Sequence, residues 1–149
     1  MLDLVLATAH HLAVFSLVGV FVAEFFLLRE GVTGPRLTQL GQIDRLYGML
    51  AGIVVVVGIV RVIFGAAGPW YYLGNQMFWA KMTAFVLVGL LSIAPTRAIL
   101  EWRKAAVSDP SYSPTPAAIG RARLFLRIQA VLLALIPAFA AAMARGYGS

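Results

Sequence analysis

The chain has 149 residues, of which 61% are hydrophobic and 12% charged, and its formal net charge is +6. Soluble domains do not have such a composition, and four helices of about 20 residues, each long enough to cross a bilayer core of about 30 Å, use most of the length. No cysteine is present, which excludes disulfides, thiolate metal sites, iron–sulfur clusters and covalently attached haem. We therefore predict one all-α integral membrane domain over residues 1–149, a four-transmembrane-helix bundle in the lipid bilayer.

The first predicted helix, about residues 2–28, carries ionisable groups within an apolar run. Such groups are unfavourable inside a membrane and mark a functional site by default. Asp3, His10 and Glu24 are separated by seven and fourteen residues, so at about 3.6 residues per turn they lie on one stripe of the helix. His11 points about 100° away from this stripe.

Glu24 lies near the far end of the first helix and needs a partner if it is buried. An ion pair with Arg97, Arg123 or Arg127 is the structural interpretation of this residue. A role in a proton path along the same helix stripe is the functional interpretation.

Three further helices are predicted, over about residues 35–67, 76–105 and 116–144. Asn75 and Thr115 stand just before the last two of them and suit the N-cap position. In the second helix, Gly48 and Gly52 form a GxxxG pattern, which in an apolar segment indicates a packing face. The aromatic connection between the second and third helices is typical of the headgroup boundary.

The distribution of cations predicts the topology. They concentrate in the first and third connections and the adjoining helix ends: Arg29, Arg36, Arg45, Arg97, Arg103, Lys104, Arg121 and Arg123. The second connection and the N-terminus hold none, so the positive-inside rule places the first and third connections in the cytoplasm. We therefore predict a multi-pass protein of the cytoplasmic (inner) membrane with its N- and C-termini on the extracytoplasmic side. The same bias explains the net charge, and no nucleic-acid partner is expected.

With this orientation three polar side chains converge in the outer half of the bundle. His10 comes from the first helix, Arg61 from the end of the second and Lys81 from the start of the third. Aromatic residues are expected to ring them: Trp70, Tyr71, Tyr72, Phe78 and Trp79. A neutral imidazole binds haem iron and cations hold propionates, so haem or a porphyrin would suit this pocket. The alternative interpretation is a hydrogen-bonded histidine with cations that snorkel to the headgroups.

Two short motifs carry a family resemblance: Thr8-Ala9-His10-His11-Leu12 in the first helix and Phe78-Trp79-Ala80-Lys81-Met82 at the start of the third. Here the sequence resembles the HemJ-type protoporphyrinogen oxidases, and more closely an uncharacterised family of predicted four-helix bacterial membrane proteins. The resemblance implies that His10 is the ligand of haem b and that Lys81 is its basic partner. It does not separate His10 from His11, but the stripe geometry favours His10.

Two functional hypotheses follow. The first is a haem b- or porphyrin-binding redox protein, either a HemJ-like oxidase or an electron-transfer protein with a porphyrin or quinone ligand. Adjacent histidines cannot bind opposite faces of one iron, so a sixth ligand would come from a methionine, from Lys81 or from a second subunit of a homo-oligomer. The second is a non-enzymatic membrane module without a cofactor: a small carrier, an assembly factor or a complex subunit. No residue is assigned a catalytic role.

Overall fold

The computed structural model describes residues 1–148, and these contain five helices and no strand. They are α1 (Leu2–Leu27), α2 (Gly34–Phe64), α3 (Pro69–Leu73), α4 (Gln76–Ser108) and α5 (Pro116–Ala144). All except α3 are long and apolar enough to cross a membrane. The predicted fold class, an all-α bundle of four transmembrane helices, is confirmed.

The observed helix ends differ slightly from the predicted ones. Helix α2 ends at Phe64 because Gly65 adopts an extended conformation, whereas the prediction continued to residue 67. Helix α4 runs on to Ser108, beyond the predicted end at residue 105. The connection between them contains the short helix α3, which follows a turn at Gly68 with a φ of 74°. Glycine adopts such a conformation without strain.

Both predicted N-caps are confirmed. The Asn75 side chain accepts hydrogen bonds from the backbone N–H groups of Met77 and Phe78, at 2.8 and 3.3 Å. The hydroxyl oxygen of Thr115 accepts one from Ala118 N–H at 3.3 Å. These bonds pair N–H groups that a helix start otherwise leaves without a partner.

The long helices pack mainly in the order α1, α2, α4, α5, and the seam between α1 and α5 is sparse. Their two ends can be named from their sequences. The arginine-rich end holds the connections 28–33 and 109–115, and the histidine end holds the chain termini and the connection 65–75.

The core is concentrated toward the arginine-rich end. Its fully buried apolar side chains include Leu28, Leu37, Leu40, Ile99, Ile119 and Leu126. Helix α1 has no buried residue before Ala13, α2 none after Val54, and α5 none after Gln129. At the histidine end, burial is confined to the α3–α4 corner and the first turns of α4. Buried side chains are therefore concentrated at one end of the bundle and sparse at the other.

The GxxxG face of α2 does not pack within the chain. A Cβ atom added at Gly48 or at Gly52 would meet nothing within 4 Å. Beside them, a shallow apolar groove of about 360 Å³ follows the outer side of α2, lined by Met49, Gly52, Ile53, Val56 and Val57. The face predicted to pack against a neighbouring helix is open in the single chain.

Candidate functional site

Three ionisable residues of α1 lie on one stripe, and in the structure this stripe faces α2. Asp3 lies at the last turn of α2, where its Oδ1 accepts a hydrogen bond from Ala66 N–H at 3.1 Å. His10 lies against Gly58 of α2. Glu24 is only 1% exposed, and the charge of Asp44 on α2 acts on it. The helix interface therefore contains all three ionisable groups of the stripe.

His10 is half-buried, and its ring lies beside Gly58, where an added Cβ atom would stand in van der Waals contact with it. The ring nitrogen Nδ1 is buried and has no hydrogen-bond partner. A buried polar atom without a partner is unfavourable by about 1–3 kcal/mol. Such an atom is a reason to look for a ligand at this site.

Arg61 of α2 and Lys81 of α4 lie close to His10. The charges of both residues act on the imidazole, and they also act on each other. The Nε of Arg61 is buried without a hydrogen-bond partner, and Lys81 Nζ lies 5.1 Å above the centre of the Phe78 ring. Within residues 1–148 neither cation forms an ion pair. Three helices thus bring two uncompensated positive charges to one imidazole.

His11 lies on another side of α1. It is exposed, and its Nδ1 is 2.6 Å from the carbonyl oxygen of Ala7, a distance at which Nδ1–H donates to that oxygen. The two histidine rings meet edge to face with their centres 6.3 Å apart. Of the two histidines, His10 therefore faces Arg61 and Lys81.

The aromatic residues at this end stabilise a corner of the fold instead of forming a ring around His10. Tyr72 and Phe78 are buried against each other with ring centres 5.7 Å apart. The indole N–H of Trp79 donates to the carbonyl oxygen of Leu73 at 3.0 Å. Tyr71 donates its hydroxyl to the carbonyl oxygen of Met143, and Trp70 is 84% exposed. The expected aromatic ring is not observed because these contacts fasten α3 to the start of α4 and to the end of α5.

A second polar cluster lies toward the arginine-rich end, and we call it the acid cluster: Glu24, Asp44, Tyr47, Thr96 and Gln129. Thr96 donates its hydroxyl to Asp44 Oδ1 at 2.7 Å, and Tyr47 donates its hydroxyl to Gln129 Oε1 at 3.3 Å. Gln129 is 0% exposed and its Nε2 has no partner. Sequence reasoning missed this cluster apart from Glu24, although Asp44 and Tyr47 are three residues apart and share a helix face.

The ion pair expected for Glu24 is not made within the described residues. Its Oε2 has no hydrogen-bond partner, and the groups that interact with it electrostatically are Asp44 and Tyr47. Of the suggested arginines on α5, Arg123 has its guanidinium 5.4 Å above the Phe25 ring and leaves its buried Nε unpaired. Glu24 is thus a buried acid without a cation in contact.

The fold and these two polar clusters define the class of the protein: a multi-pass membrane protein built as a transmembrane helix bundle. Residues 2–148 match a family described as Predicted membrane protein (DUF2214), and the chain belongs to this family. No curated protein and no solved structure matches the chain.

Proposed function

We propose that this protein binds haem b or a related porphyrin at the histidine end and acts in membrane redox chemistry. The observation that carries the proposal is the pair of uncompensated cations, Arg61 and Lys81, beside the half-buried imidazole of His10. Positive charge in apolar surroundings needs a counter-charge. An apolar planar ligand that bears carboxylates would supply this charge.

Each residue of the site has a role in this proposal. Neutral imidazole is a common axial ligand of haem iron, and His10 is the histidine that faces the two cations. Arg61 and Lys81 would hold the carboxylates, and Gly58 leaves room for the imidazole. The bound haem would supply one-electron redox chemistry. The unpartnered nitrogens on His10 and Arg61 are compatible with this assignment.

The resemblance to HemJ-type oxidases supports the same site. The two motifs that carry it contain His10 and Lys81, which lie on different helices and interact electrostatically. An oxidase of protoporphyrinogen and an electron-transfer protein with a quinone partner are the two forms of the function that this site would serve. A sixth iron ligand from a second copy of the chain would make the active form a homo-oligomer.

An absorption spectrum of the detergent-purified protein, oxidised and then reduced, tests the proposal. Cells should be grown with adequate haem supply, and haem content should be compared with that of two histidine variants. We expect a Soret band that His10→Ala removes and that His11→Ala, the matched control on the exposed face, retains. Replacement of Lys81 by Gln should weaken haem binding without abolishing it.

A colourless wild-type protein with an intact helical spectrum would overturn the proposal, as would unchanged haem content in His10→Ala. Either result would favour a non-enzymatic membrane module: a small carrier, an assembly factor or a complex subunit. One observation favours that second function, since the apolar groove at Gly52 on the outer side of α2 is open to a neighbouring helix.

The orientation belongs to the same proposal. We place the arginine-rich end in the cytoplasm and the histidine end, with both termini, on the extracytoplasmic side of the cytoplasmic membrane. The excess of arginine in connections 28–33 and 109–115 and the adjoining helix turns supports this placement.

A further inference from the structure

The acid cluster is a second site, separate from His10, in the closely packed part of the bundle. Side chains from all four long helices meet there, and Glu24, Asp44, Tyr47 and Gln129 are each at most 6% exposed. Two carboxyl groups so deeply buried do not stabilise a membrane helix bundle by themselves, because desolvation of a charge is unfavourable. Their presence therefore indicates a ligand that compensates them.

No group among residues 1–148 compensates Glu24. From α2 it faces Asp44 and Tyr47, which carry either negative or no charge. From α4, Arg103 acts on Asp44, and from α5, Arg123 lies over the Phe25 ring. Neither arginine forms an ion pair with Glu24 within the described part of the chain, and Glu24 Oε2 has no hydrogen-bond partner.

Gln129 provides an independent observation at the same place. Its side chain is completely buried, and its Oε1 accepts from the Tyr47 hydroxyl. Its Nε2 has no acceptor. Because Tyr47 interacts electrostatically with both acids, this unpaired donor belongs to the acid cluster. It is free to donate to a carboxylate oxygen or to a water molecule.

Arg103 connects the cluster with the arginine-rich end. Its side chain crosses α2 at Gly41, where a Cβ atom would overlap the Arg103 Cδ. Gly41 and Asp44 are three residues apart on the same face of α2, and the charge of Arg103 acts on Asp44. Asp44, held by Thr96, therefore lies between Glu24 and a half-buried cation near the end of the bundle.

We infer that Glu24 is the binding site of one exchangeable proton, which reaches it from the arginine-rich end past Arg103 and Asp44. On uptake, an O–H bond forms at one carboxylate oxygen of Glu24, and on release the same bond breaks and the carboxylate forms. Protonation makes Glu24 neutral, so no uncompensated negative charge of Glu24 stands beside Asp44. Its proton is retained because no cation of the described chain contacts Glu24. The site does not depend on haem at His10.

Infrared difference spectroscopy of the purified full-length protein in lipid nanodiscs tests this inference. The carbonyl stretch of a protonated carboxylic acid lies apart from the carboxylate bands and shifts in D₂O. At neutral pH we expect such a band in the wild type, and Glu24→Gln should remove it. Glu101→Gln, which changes an exposed acid of α4, should leave it unchanged.

Asp44→Asn provides a second measurement if Glu24→Gln does not fold. It should keep the acid band but shift its frequency, because the group beside Glu24 changes. Arg103→Gln should slow the exchange of this band in D₂O. The inference is overturned if the wild type lacks an acid band, or if the band survives in Glu24→Gln. It is also overturned if Asp44→Asn removes the band, which would assign the proton to Asp44. All these readings are independent of haem content.

Discussion

The imidazole of His10 lies directly against Gly58 across the α1–α2 interface. A Cβ atom added at Gly58 would stand 3.4 Å from Cε1 and 3.8 Å from Nδ1 of the ring. These are ordinary van der Waals distances, so one methyl group fits at this position and a branched side chain does not. Gly58 therefore controls how close His10 comes to α2.

Gly58→Leu should displace the His10 ring and lower the haem affinity by about fivefold or more, since overpacking costs about 1–3 kcal/mol and about 1.4 kcal/mol corresponds to a factor of ten. Gly58→Ala should retain wild-type haem content. The matched control is Gly52→Leu on the same helix, where an added Cβ meets nothing. Titration with haem, followed at the Soret band, measures the three affinities. Equal affinity in Gly58→Leu and Gly52→Leu would contradict the assignment of His10.

Asn75 joins the start of α4 to the C-terminal residues. It is 1% exposed, accepts the N–H of Met77 and donates its Nδ2–H to the carbonyl oxygen of Tyr147 at 3.1 Å. We expect Asn75→Ala to lower the free energy of unfolding by about 1–2 kcal/mol, because it removes a helix cap and leaves a carbonyl unpaired. Asn75→Asp keeps the acceptor oxygen but loses the Nδ2–H donor. Its free energy of unfolding should therefore lie between those of the wild type and Asn75→Ala.

Thermal unfolding followed by circular dichroism in one detergent measures these changes. Gln76→Ala, at the exposed neighbouring position, is the control. A decrease for Asn75→Ala that does not exceed the decrease for Gln76→Ala would show that this cap contributes nothing.

The orientation predicts a pattern of labelling, and the absence of cysteine from the sequence makes the experiment direct. Ala67 and Ser113 are exposed positions in the connections at opposite ends of the bundle. A membrane-impermeant maleimide should label Ala67→Cys in intact cells and Ser113→Cys only after permeabilisation. The reverse pattern would place the histidine end in the cytoplasm.

Asp109, in the connection between α4 and α5, predicts a pH dependence. The hydroxyl and the backbone N–H of Ser111 donate to its Oδ1 at 2.6 and 2.9 Å, and these bonds hold the pKa of Asp109 below its ordinary value. A carboxyl group whose pKa is depressed in the folded state stabilises that state above its unfolded pKa of about 3.9. The contribution is lost as the pH falls through the folded-state pKa.

Ser111→Ala removes the hydroxyl and keeps the backbone N–H, so the pKa of Asp109 should rise part of the way to its ordinary value. Ser113→Ala should leave it unchanged. A carbon-13 NMR titration of the side-chain carboxyl signals measures the pKa of Asp109 in both variants. Only Asp3, Asp44 and Asp109 contribute aspartate signals. A pKa of Asp109 that falls in Ser111→Ala would contradict the role of the hydroxyl.

The local features of this fold were predictable because they depend on short spacings. The separation of Asp3, His10 and Glu24 by multiples of seven places them on one face of α1, and in the structure this face meets α2. The N-caps at Asn75 and Thr115 follow from residue type and the helix pattern that comes after them.

The partner of Glu24 was not predictable from the same information. Which residue of α2 stands opposite Glu24 depends on the path of the connection 28–33, and sequence periodicity does not describe that path. Asp44 also lies in the polar first part of α2, which the composition assigns to the membrane boundary and not to the core. Gln129 joins the acid cluster only through the packing of α5 against α4.

The uneven packing of the bundle predicts different consequences for two leucines of α5. Leu126 is 1% exposed in the closely packed half, and Leu135, nine residues later, is 41% exposed. In a membrane the helices are held mainly by van der Waals contacts, so a cavity at Leu126 loses contacts that lipid does not replace. Leu126→Ala should lower the free energy of unfolding by about 2 kcal/mol or more, and Leu135→Ala by less than about 0.5 kcal/mol. Equal decreases in reversible unfolding by a denaturing detergent would mean that both halves are packed alike.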